Sequence, residues 1–215
     1  VLDVQALDIH KGESFGLVGN NGAGKTTLFR LILDLIKANN GEVISKGSSV
    51  AQSEHWKNYT GAFLDEHFLI PFLSPQEYFA FTGKLYGWDK IQIDTLLKKY
   101  EDFFDMKAFG KKYIRDLSTG NKSKVGILGA LIGDPDLLIL DEPFANIDPG
   151  SQIKLRKMLK DIQQERQLTL LVSSHDLRHM SEVCERIVLL HEGKVEQDIS
   201  TNENTLQELE TWFTS

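Results

Sequence analysis

The sequence of 215 residues predicts an α/β fold with an inserted α-helical subdomain. Residues 1–60 and 135–215 alternate short apolar segments with amphipathic helical patterns, as expected when strands and helices alternate along a chain. Residues 66–134 are helix-like and rich in aromatic side chains. We therefore predict a single domain with a core formed by 1–65 and 135–215 and a helical subdomain inserted at 66–134.

Apolar runs predict the strands of the core. The last three runs are continuously apolar, which is typical of parallel strands covered on both faces. The predicted strands are 13–18, 137–140, 168–172 and 186–191. Residues 1–9 have the alternating pattern of a further strand.

Helical periodicity predicts the remaining elements. The helix after residue 149 has an apolar stripe at Leu155, Met158, Leu159 and Ile162. The predicted helices are 25–36, 75–87, 90–104, 121–132 and 150–165.

Composition excludes several classes of protein. The formal net charge of −7 and the pI near 5.4 argue against a nucleic-acid partner, whose binding surface is normally basic. The single cysteine, Cys184, cannot form an internal disulfide, which favours a reducing compartment. No apolar run approaches the roughly 20 residues that a membrane-spanning helix needs.

A phosphate-binding loop lies between the first strand of the core and the first helix. Its pattern G-x-x-x-x-G-K-[ST] predicts a P-loop NTPase core of the RecA-like type, in which backbone N–H groups surround phosphate oxygens. Lys25 would reach the β- and γ-phosphates of a nucleotide, and the Thr26 hydroxyl would bind Mg²⁺. The predicted nucleotide-binding residues are Gly19, Asn20, Asn21, Gly22, Ala23, Gly24, Lys25, Thr26 and Thr27.

Two acids follow the buried strand 137–140. An acid at the end of a central strand lies where ligands bind in α/β sheets, so Asp141 is a candidate for holding Mg²⁺. Glu142 is then placed to orient or deprotonate the attacking water. An acidic turn without a ligand would explain the same residues, but the upstream phosphate-binding loop favours the catalytic interpretation.

A histidine follows the apolar strand 168–172. His175 could hydrogen-bond a γ-phosphate, or it could be a solvated histidine at the start of a helix. His179 lies four residues later, but no third ligand is evident and a zinc site is disfavoured.

Eight aromatic residues fall between positions 63 and 88. They can form the core of the helical subdomain, or they can line a groove that receives an apolar element of a partner. Both interpretations stay open. The residues are Phe63, Phe68, Phe72, Tyr78, Phe79, Phe81, Tyr86 and Trp88.

A fourth motif organises the others. Leu117, Ser118, Thr119, Gly120 and Asn121 read L-S-T-G-N. With this motif between the phosphate-binding loop and the acids, the chain resembles the nucleotide-binding subunit of an ABC (ATP-binding cassette) transporter, whose signature reads L-S-G-G-Q. The resemblance covers nearly the whole chain and rests on four motifs in the family's order.

The resemblance implies roles for several residues. Ser118 and Gly120 would contact the γ-phosphate of an ATP molecule bound to a second subunit, and Ser118 would cap the following helix. Asp148 would belong to a loop that contacts the second subunit. His175 would link the γ-phosphate to that interface. Residues 61–77 would be the lever segment that transmits motion to a membrane partner.

The sequence departs from the family pattern at some of these positions. Asp65 stands where the lever segment usually begins with glutamine, and Glu66 follows it. The carboxylate adds negative charge near ATP and has a shorter side chain, which disfavours a Mg²⁺ contact by Asp65. Thr119 replaces a glycine of the signature, and Asn121 replaces a glutamine. The family's adenine-stacking aromatic has no counterpart before Phe15, and we expect it in an N-terminal piece that precedes Val1.

The resemblance further implies an ATPase that uses Glu142, His175 and Lys25. Two copies, as a homodimer or a heterodimer, would close head to tail on two Mg-ATP molecules and drive a separate membrane-spanning permease subunit. The chain would be peripheral, on the cytoplasmic face of the bacterial plasma membrane. The signature variant and the carboxylate at Asp65 favour export over nutrient import.

Three alternatives compete with this function. A nucleotide-dependent switch of the same family, such as a two-cassette translation factor, would dimerise on ATP without driving transport. A module that senses ATP would dimerise on it without hydrolysing it. A metabolic P-loop kinase would not need the segment 117–121. The sequence does not identify the cargo.

Overall fold

The computed structural model describes residues 2–106, 109 and 111–214. A six-stranded sheet has the strand order β4-β5-β6-β1-β7-β8, and all neighbours are parallel except β7 and β8. The strands are β1 (Ser14–Val18), β2 (Ile44–Ser45), β3 (Ser48–Ser49), β4 (Thr60–Phe63), β5 (Leu137–Leu140), β6 (Thr169–Ser174), β7 (Arg186–His191) and β8 (Lys194–Ser200). Strands β2 and β3 form a separate antiparallel pair.

Helices follow most of the parallel strands, and three of them lie between β4 and β5. The helices are α1 (Lys25–Ile32), α2 (Pro75–Leu85), α3 (Lys90–Lys99), α4 (Thr119–Ala130), α5 (Pro149–Arg166), α6 (Leu177–Val183) and α7 (Thr205–Thr214). This arrangement confirms the predicted α/β class with a parallel sheet. Among the described residues, no helix is both long enough and apolar enough to cross a bilayer.

The register of the sheet brings the predicted motifs to one edge. Strand β6 lies between β5 and β1, with Val172 opposite Leu140 and Ser174 opposite Val18. Because parallel strands end at the same edge, the segments after β1, β5 and β6 emerge side by side. These segments are the phosphate-binding loop, the acid pair and the turn that contains His175.

Several predicted boundaries differ from the structure. Helix α1 ends at Ile32 rather than at residue 36, because Asp34 takes a left-handed conformation with φ of 50° that interrupts the helix. Helix α3 ends at Lys99 rather than at 104, and Phe104 instead packs between the rings of Phe79 and Phe109.

The prediction of a strand over residues 1–9 is wrong for residues 2–9. Asp3 donates a backbone hydrogen bond to the Gly193 carbonyl, but the segment forms no ladder. Its alternating apolar residues pack against a hydrophobic cluster built on Phe15 and Phe29. The alternation therefore reflects burial of one face of the segment. The segment cannot pair with β1, because both edges of β1 are already paired with β6 and β7. Val1 lies outside the described residues.

The main hydrophobic cluster is continuous between the helical segment and the sheet. It includes Phe79 and Phe104 from the segment between β4 and β5, together with Leu138, Leu140 and Leu159 from the sheet and α5. The inserted helices and the sheet therefore share one hydrophobic core.

Candidate nucleotide-binding and catalytic site

The phosphate-binding loop connects β1 to α1 through two glycines in the left-handed region. Gly22 has φ of 84° and Gly24 has φ of 109°, and side chains rarely tolerate such values. The Ala23 N–H donates to the Asn20 carbonyl, and the Gly193 N–H donates to the Ala23 carbonyl. The turn between β7 and β8 is therefore hydrogen-bonded to the phosphate-binding loop.

Lys25 is buried at the first position of α1, and its side chain is 6% exposed. Its Nζ donates to the Gly19 carbonyl at 2.6 Å and to the Asn20 carbonyl at 3.4 Å. The same Nζ lies 3.2 Å from Glu142 Oε1. The ammonium group is thus held at the mouth of the loop by two carbonyls and one carboxylate.

Thr26 and Asp141 meet across the edge of the sheet. The Thr26 hydroxyl donates to Asp141 Oδ2 at 2.5 Å, and the Ser173 hydroxyl donates to Asp141 Oδ1. Burial raises the pKa of Asp141, against the two hydrogen bonds that lower it. A buried carboxylate beside a hydroxyl is a set of hard oxygen donors of the kind that Mg²⁺ accepts, so these residues fit that ion.

Glu142 has a left-handed backbone conformation, and its carboxylate contacts two side chains. Its φ of 46° is left-handed, and its N–H donates to the Ser173 hydroxyl at 2.9 Å. Its Oε2 lies 2.9 Å from His175 Nδ1, and its Oε1 lies 3.2 Å from Lys25 Nζ. The structure therefore brings together the three residues that the sequence predicted to be catalytic.

The two histidines that follow β6 make different contacts. His175 is exposed and bonds to Glu142. His179 is buried on α6, where its ring packs on Phe144 with centroids 4.5 Å apart and its Nδ1 lies 3.1 Å from Arg156 Nη1. Burial lowers the pKa of His179. The two imidazoles therefore make separate contacts.

Ser173 is a site residue that the sequence reasoning missed. It lies two positions before His175, in a run that reads as an ordinary strand end. Its proximity to the acids follows from the pairing of β6 with β5, because Val172 is opposite Leu140 and Ser173 is therefore level with Asp141. Strand order, which the sequence pattern does not reveal, was the missing information.

The signature segment forms the start of α4. Ser118 is the N-cap residue, and its Oγ accepts from the Asn121 N–H at 3.3 Å. Leu117 is buried, whereas Ser118 and Thr119 are exposed. A side chain at Gly120 would overlap the carbonyl oxygen of Asn146, so the helix start packs directly on the backbone of the loop after β5.

A groove of about 360 Å³ opens beside the signature segment. Its walls include Ser118, Asn121, Lys124 and Lys154. Among the described residues, no hydrogen bond or ion pair joins residues 117–121 to the phosphate-binding loop. The polar side chains of the signature segment are thus available on a surface separate from that loop.

The lever segment is tied to both α1 and α4. Asp65 accepts from the His67 N–H at 2.7 Å, and its Oδ2 lies 3.9 Å from Arg30 Nη2. Glu66 Oε2 lies 3.0 Å from Lys122 Nζ, one position after the signature segment. The second of these ion pairs directly joins the lever segment to the signature helix.

Asp148 caps α5 and connects it to α4. Its carboxylate accepts from the Ser151 hydroxyl at 2.6 Å and from the Ser151 N–H at 2.9 Å, and it lies 3.6 Å from Lys124 Nζ. The Ser151 hydroxyl, followed by the Ser151 N–H, lowers the pKa of Asp148 to about 2.

Asp148→Asn is expected to make the stability of the chain less sensitive to acid. The folded-state pKa of about 2 lies below the ordinary value of 3.8, so ionisation of Asp148 stabilises the folded chain. That contribution is complete above the ordinary pKa and is lost as the pH falls toward 2. Urea denaturation from about pH 5 to about pH 2.5 measures the free energy of unfolding of both proteins. The difference between wild type and Asp148→Asn should therefore shrink as the pH falls. A constant difference across this range would contradict the assignment.

Comparison with known proteins places the chain in a family. The ABC transporter family matches residues 2–145. The ABC transporter ATP-binding protein YhaQ of Bacillus subtilis is 34% identical over 188 residues, which cover 87% of this chain and 62% of YhaQ. The methionine import ATP-binding protein MetN of Carboxydothermus hydrogenoformans is 30% identical over 204 residues, which cover 92% of this chain and 60% of MetN.

A solved structure shares the fold over nearly the whole chain. It is described as an ATP binding subunit of an ABC transporter, and it superposes with a TM-score of 0.85 at 25% identity, covering 97% of this chain and 91% of that one. The motifs, the site geometry and these matches agree, and the chain belongs to the ABC transporter family.

Proposed function

We propose that the chain binds Mg-ATP at the phosphate-binding loop and hydrolyses it. The observation that carries this proposal is the convergence of four side chains at one edge of the sheet. Thr26 Oγ1 lies 2.5 Å from Asp141 Oδ2, and Lys25 Nζ lies 3.2 Å from Glu142 Oε1. Together they supply a cation for phosphate, oxygen donors for a metal and a carboxylate for water.

The residues divide the chemistry among themselves. The N–H groups of Gly19–Thr27 and the Lys25 ammonium would bind the phosphates, and Thr26 and Asp141 would hold Mg²⁺. When bound, Mg²⁺ neutralises charge that develops on the phosphate oxygens. Glu142 orients the attacking water and accepts its proton, and His175, at 2.9 Å from Glu142, keeps that carboxylate in place.

The Lys25 contacts support a switch that ATP itself operates. Lys25 is bonded to two loop carbonyls and lies against Glu142. Phosphate oxygens compete for the same ammonium group, so nucleotide binding separates Lys25 from Glu142. The carboxylate is then free to accept a proton from water only when the nucleotide is present.

We further propose that two copies close head to tail on two ATP molecules. The exposed Ser118 lies on a groove with Lys124 and Lys154, and Thr119 is exposed next to it in the chain. These side chains suit contacts to phosphates held by a second copy. The Lys124–Asp148 and Lys122–Glu66 ion pairs link this surface to the predicted dimer loop and to the lever segment.

The partner that we propose is a membrane-spanning permease subunit. Apolar side chains stay exposed along the lever segment and α2, which supports a docking surface for an apolar element. They are Phe68 at 50% exposed, Phe72 at 64%, Phe81 at 45% and Leu85 at 69%. The chain would then lie at the cytoplasmic face of the membrane, and we retain export as the proposed direction.

Lys25→Met is expected to weaken ATP binding by at least about 30-fold, because a buried charge partner of the phosphates is lost while the aliphatic volume is retained. Isothermal titration calorimetry measures the Kd for ATP, and release of inorganic phosphate measures turnover. Lys160→Met, at an exposed position of α5, is the matched control. Equal Kd values for the two variants would refute the proposed site.

A further inference from the structure

We infer that Ser173 is a positioning residue that sets the orientation of Asp141 and Glu142, and this inference rests on the proposed ATPase function. No motif of the sequence singles out Ser173, and its hydroxyl lies behind the two acids rather than at the phosphate-binding loop. Its role would be to act through Asp141 and Glu142.

The Ser173 side chain is enclosed, and its hydroxyl both donates and accepts a hydrogen bond. The residue is 0% exposed near the end of β6. Its hydroxyl donates to Asp141 Oδ1 and accepts from the Glu142 N–H at 2.9 Å. A hydroxyl has one proton to donate, so this proton is committed to Asp141.

The first consequence concerns the rotation of the Asp141 carboxylate. The terminal torsion of an aspartate is broad, so a carboxylate without a fixed partner can turn. The bond from Ser173 holds Oδ1 on the side of β6, and Oδ2 is left to face the Thr26 hydroxyl at 2.5 Å. Ser173 thus keeps the two proposed Mg²⁺ ligands, Thr26 and Asp141, turned toward each other.

The second consequence concerns the backbone of Glu142. A left-handed conformation is unfavourable for a residue with a long side chain, and Glu142 has φ of 46°. Its N–H points back to the Ser173 hydroxyl, which supplies the acceptor that this conformation requires. With the backbone so held, the carboxylate reaches both Lys25 and His175.

Packing within the strand does not by itself favour serine at this position. The preceding strand residues Leu170, Leu171 and Val172 are apolar and buried, and a β-branched apolar residue would fit a central strand better than serine. A buried hydroxyl is unfavourable unless it is hydrogen-bonded. The two acid contacts are what make serine suitable here.

The experiment compares Ser173→Ala with Ser14→Ala. Ser14 is also a buried strand serine, and its hydroxyl accepts a hydrogen bond from the Glu185 N–H at 3.0 Å. It lies at the start of β1, at the end of that strand away from the phosphate-binding loop. In Ser173→Ala we expect Mg-ATP affinity and kcat each to fall about 10- to 100-fold. The Kd for ATP in EDTA, measured by calorimetry, should stay within about twofold of wild type because the phosphate-binding loop is intact. Ser14→Ala should leave all three quantities unchanged.

A conservative variant distinguishes the effect of the Ser173 hydroxyl on the orientation of the acids from an effect of packing in the strand. Ser173→Thr retains the hydroxyl and suits a strand, so it should recover most of the Mg-ATP affinity and kcat. Should Ser173→Ala fail to fold, Ser173→Cys keeps the volume with a much weaker hydrogen bond and is expected to show the same selective loss.

The outcomes distinguish this inference from the proposed function. If wild type binds Mg-ATP and Ser173→Ala behaves as Ser14→Ala does, the inference is overturned and the proposed function stands. Equal losses of affinity with and without Mg²⁺ in Ser173→Ala would also overturn it, since they indicate general disruption. If wild type neither binds Mg-ATP nor releases phosphate, the proposed function fails and the inference fails with it.

Discussion

Replacing Glu142 by glutamine is expected to slow ATP hydrolysis by at least about 100-fold, the lower end of what a general base contributes. Glutamine has nearly the same shape but accepts no proton at neutral pH. Glu142 lies 2.9 Å from His175 Nδ1 and 3.2 Å from Lys25 Nζ. Because glutamine fills the same space between them, the substitution changes the chemistry of the site without opening a cavity.

ATP binding should survive this substitution. Lys25 keeps its contacts with the Gly19 and Asn20 carbonyls, and the loss of the neighbouring carboxylate leaves its ammonium freer to meet phosphate. Calorimetry should therefore give a Kd for ATP equal to or lower than that of wild type, while release of inorganic phosphate is lost. A variant that retains wild-type turnover would exclude Glu142 as the base.

The same variant provides a test of the proposed dimer. With hydrolysis blocked, Mg-ATP should shift Glu142→Gln from monomer to dimer in light scattering, and adding Ser118→Arg should restore the monomer. Ser48→Arg, at an exposed position of β3, is the control for added bulk and charge. A protein that binds ATP and stays monomeric would refute closure by the chain alone.

Replacing Gly61 by alanine is expected to lower the free energy of unfolding by about 3 kcal/mol, at the upper end of the range for overpacking. A methyl group at this position of β4 would overlap the carbonyl oxygen of Ala130 and lie 2.9 Å from its carbonyl carbon. Both are backbone atoms at the end of α4, so a change of side-chain rotamer cannot relieve the overlap. The strand or the signature helix would have to move.

Gly150→Ala is the matched control for this prediction. Gly150 lies in the first turn of α5, where an added methyl group would meet only the end of the Asp148 side chain, at 3.3 Å. Alanine is favoured over glycine in helices, so this variant should be neutral or slightly stabilised. Urea denaturation measures both variants. A loss below about 1 kcal/mol for Gly61→Ala would show that α4 moves away from β4 at little cost.

Much of the fold and of the site was predictable because the evidence was local. Continuous apolar runs located β5, β6 and β7 to within about two residues, and a buried parallel strand needs no other signal. The phosphate-binding loop and the acid pair are contiguous motifs whose chemistry follows from residue type and spacing. The signature segment is also contiguous, and its role was implied by the family resemblance. The cap at Ser118, which the family resemblance implied, is confirmed by its bond to the Asn121 N–H.

The errors and omissions arose where distant residues decide the outcome. The apolar alternation at residues 2–9 reflects packing on the Phe15 cluster rather than strand pairing. Of the aromatic residues, Phe79 is buried at 1% exposure, as a core residue should be, whereas Phe72 is 64% exposed. A groove that receives a partner stays a prediction. The boundaries at 66 and 134 and the roles of the individual site residues stay predictions.

The sequence by itself determined which chemical groups this chain offers a nucleotide and their order along it, because each motif is short and carries its own backbone requirements. Only the tertiary structure decided which of those groups meet. The placement of β6 between β5 and β1 brings Ser173 to Asp141, and the turns after β5 and β6 bring His175 to Glu142. Strand order depends on the packing of the whole sheet, and no stretch of sequence around either residue specifies it.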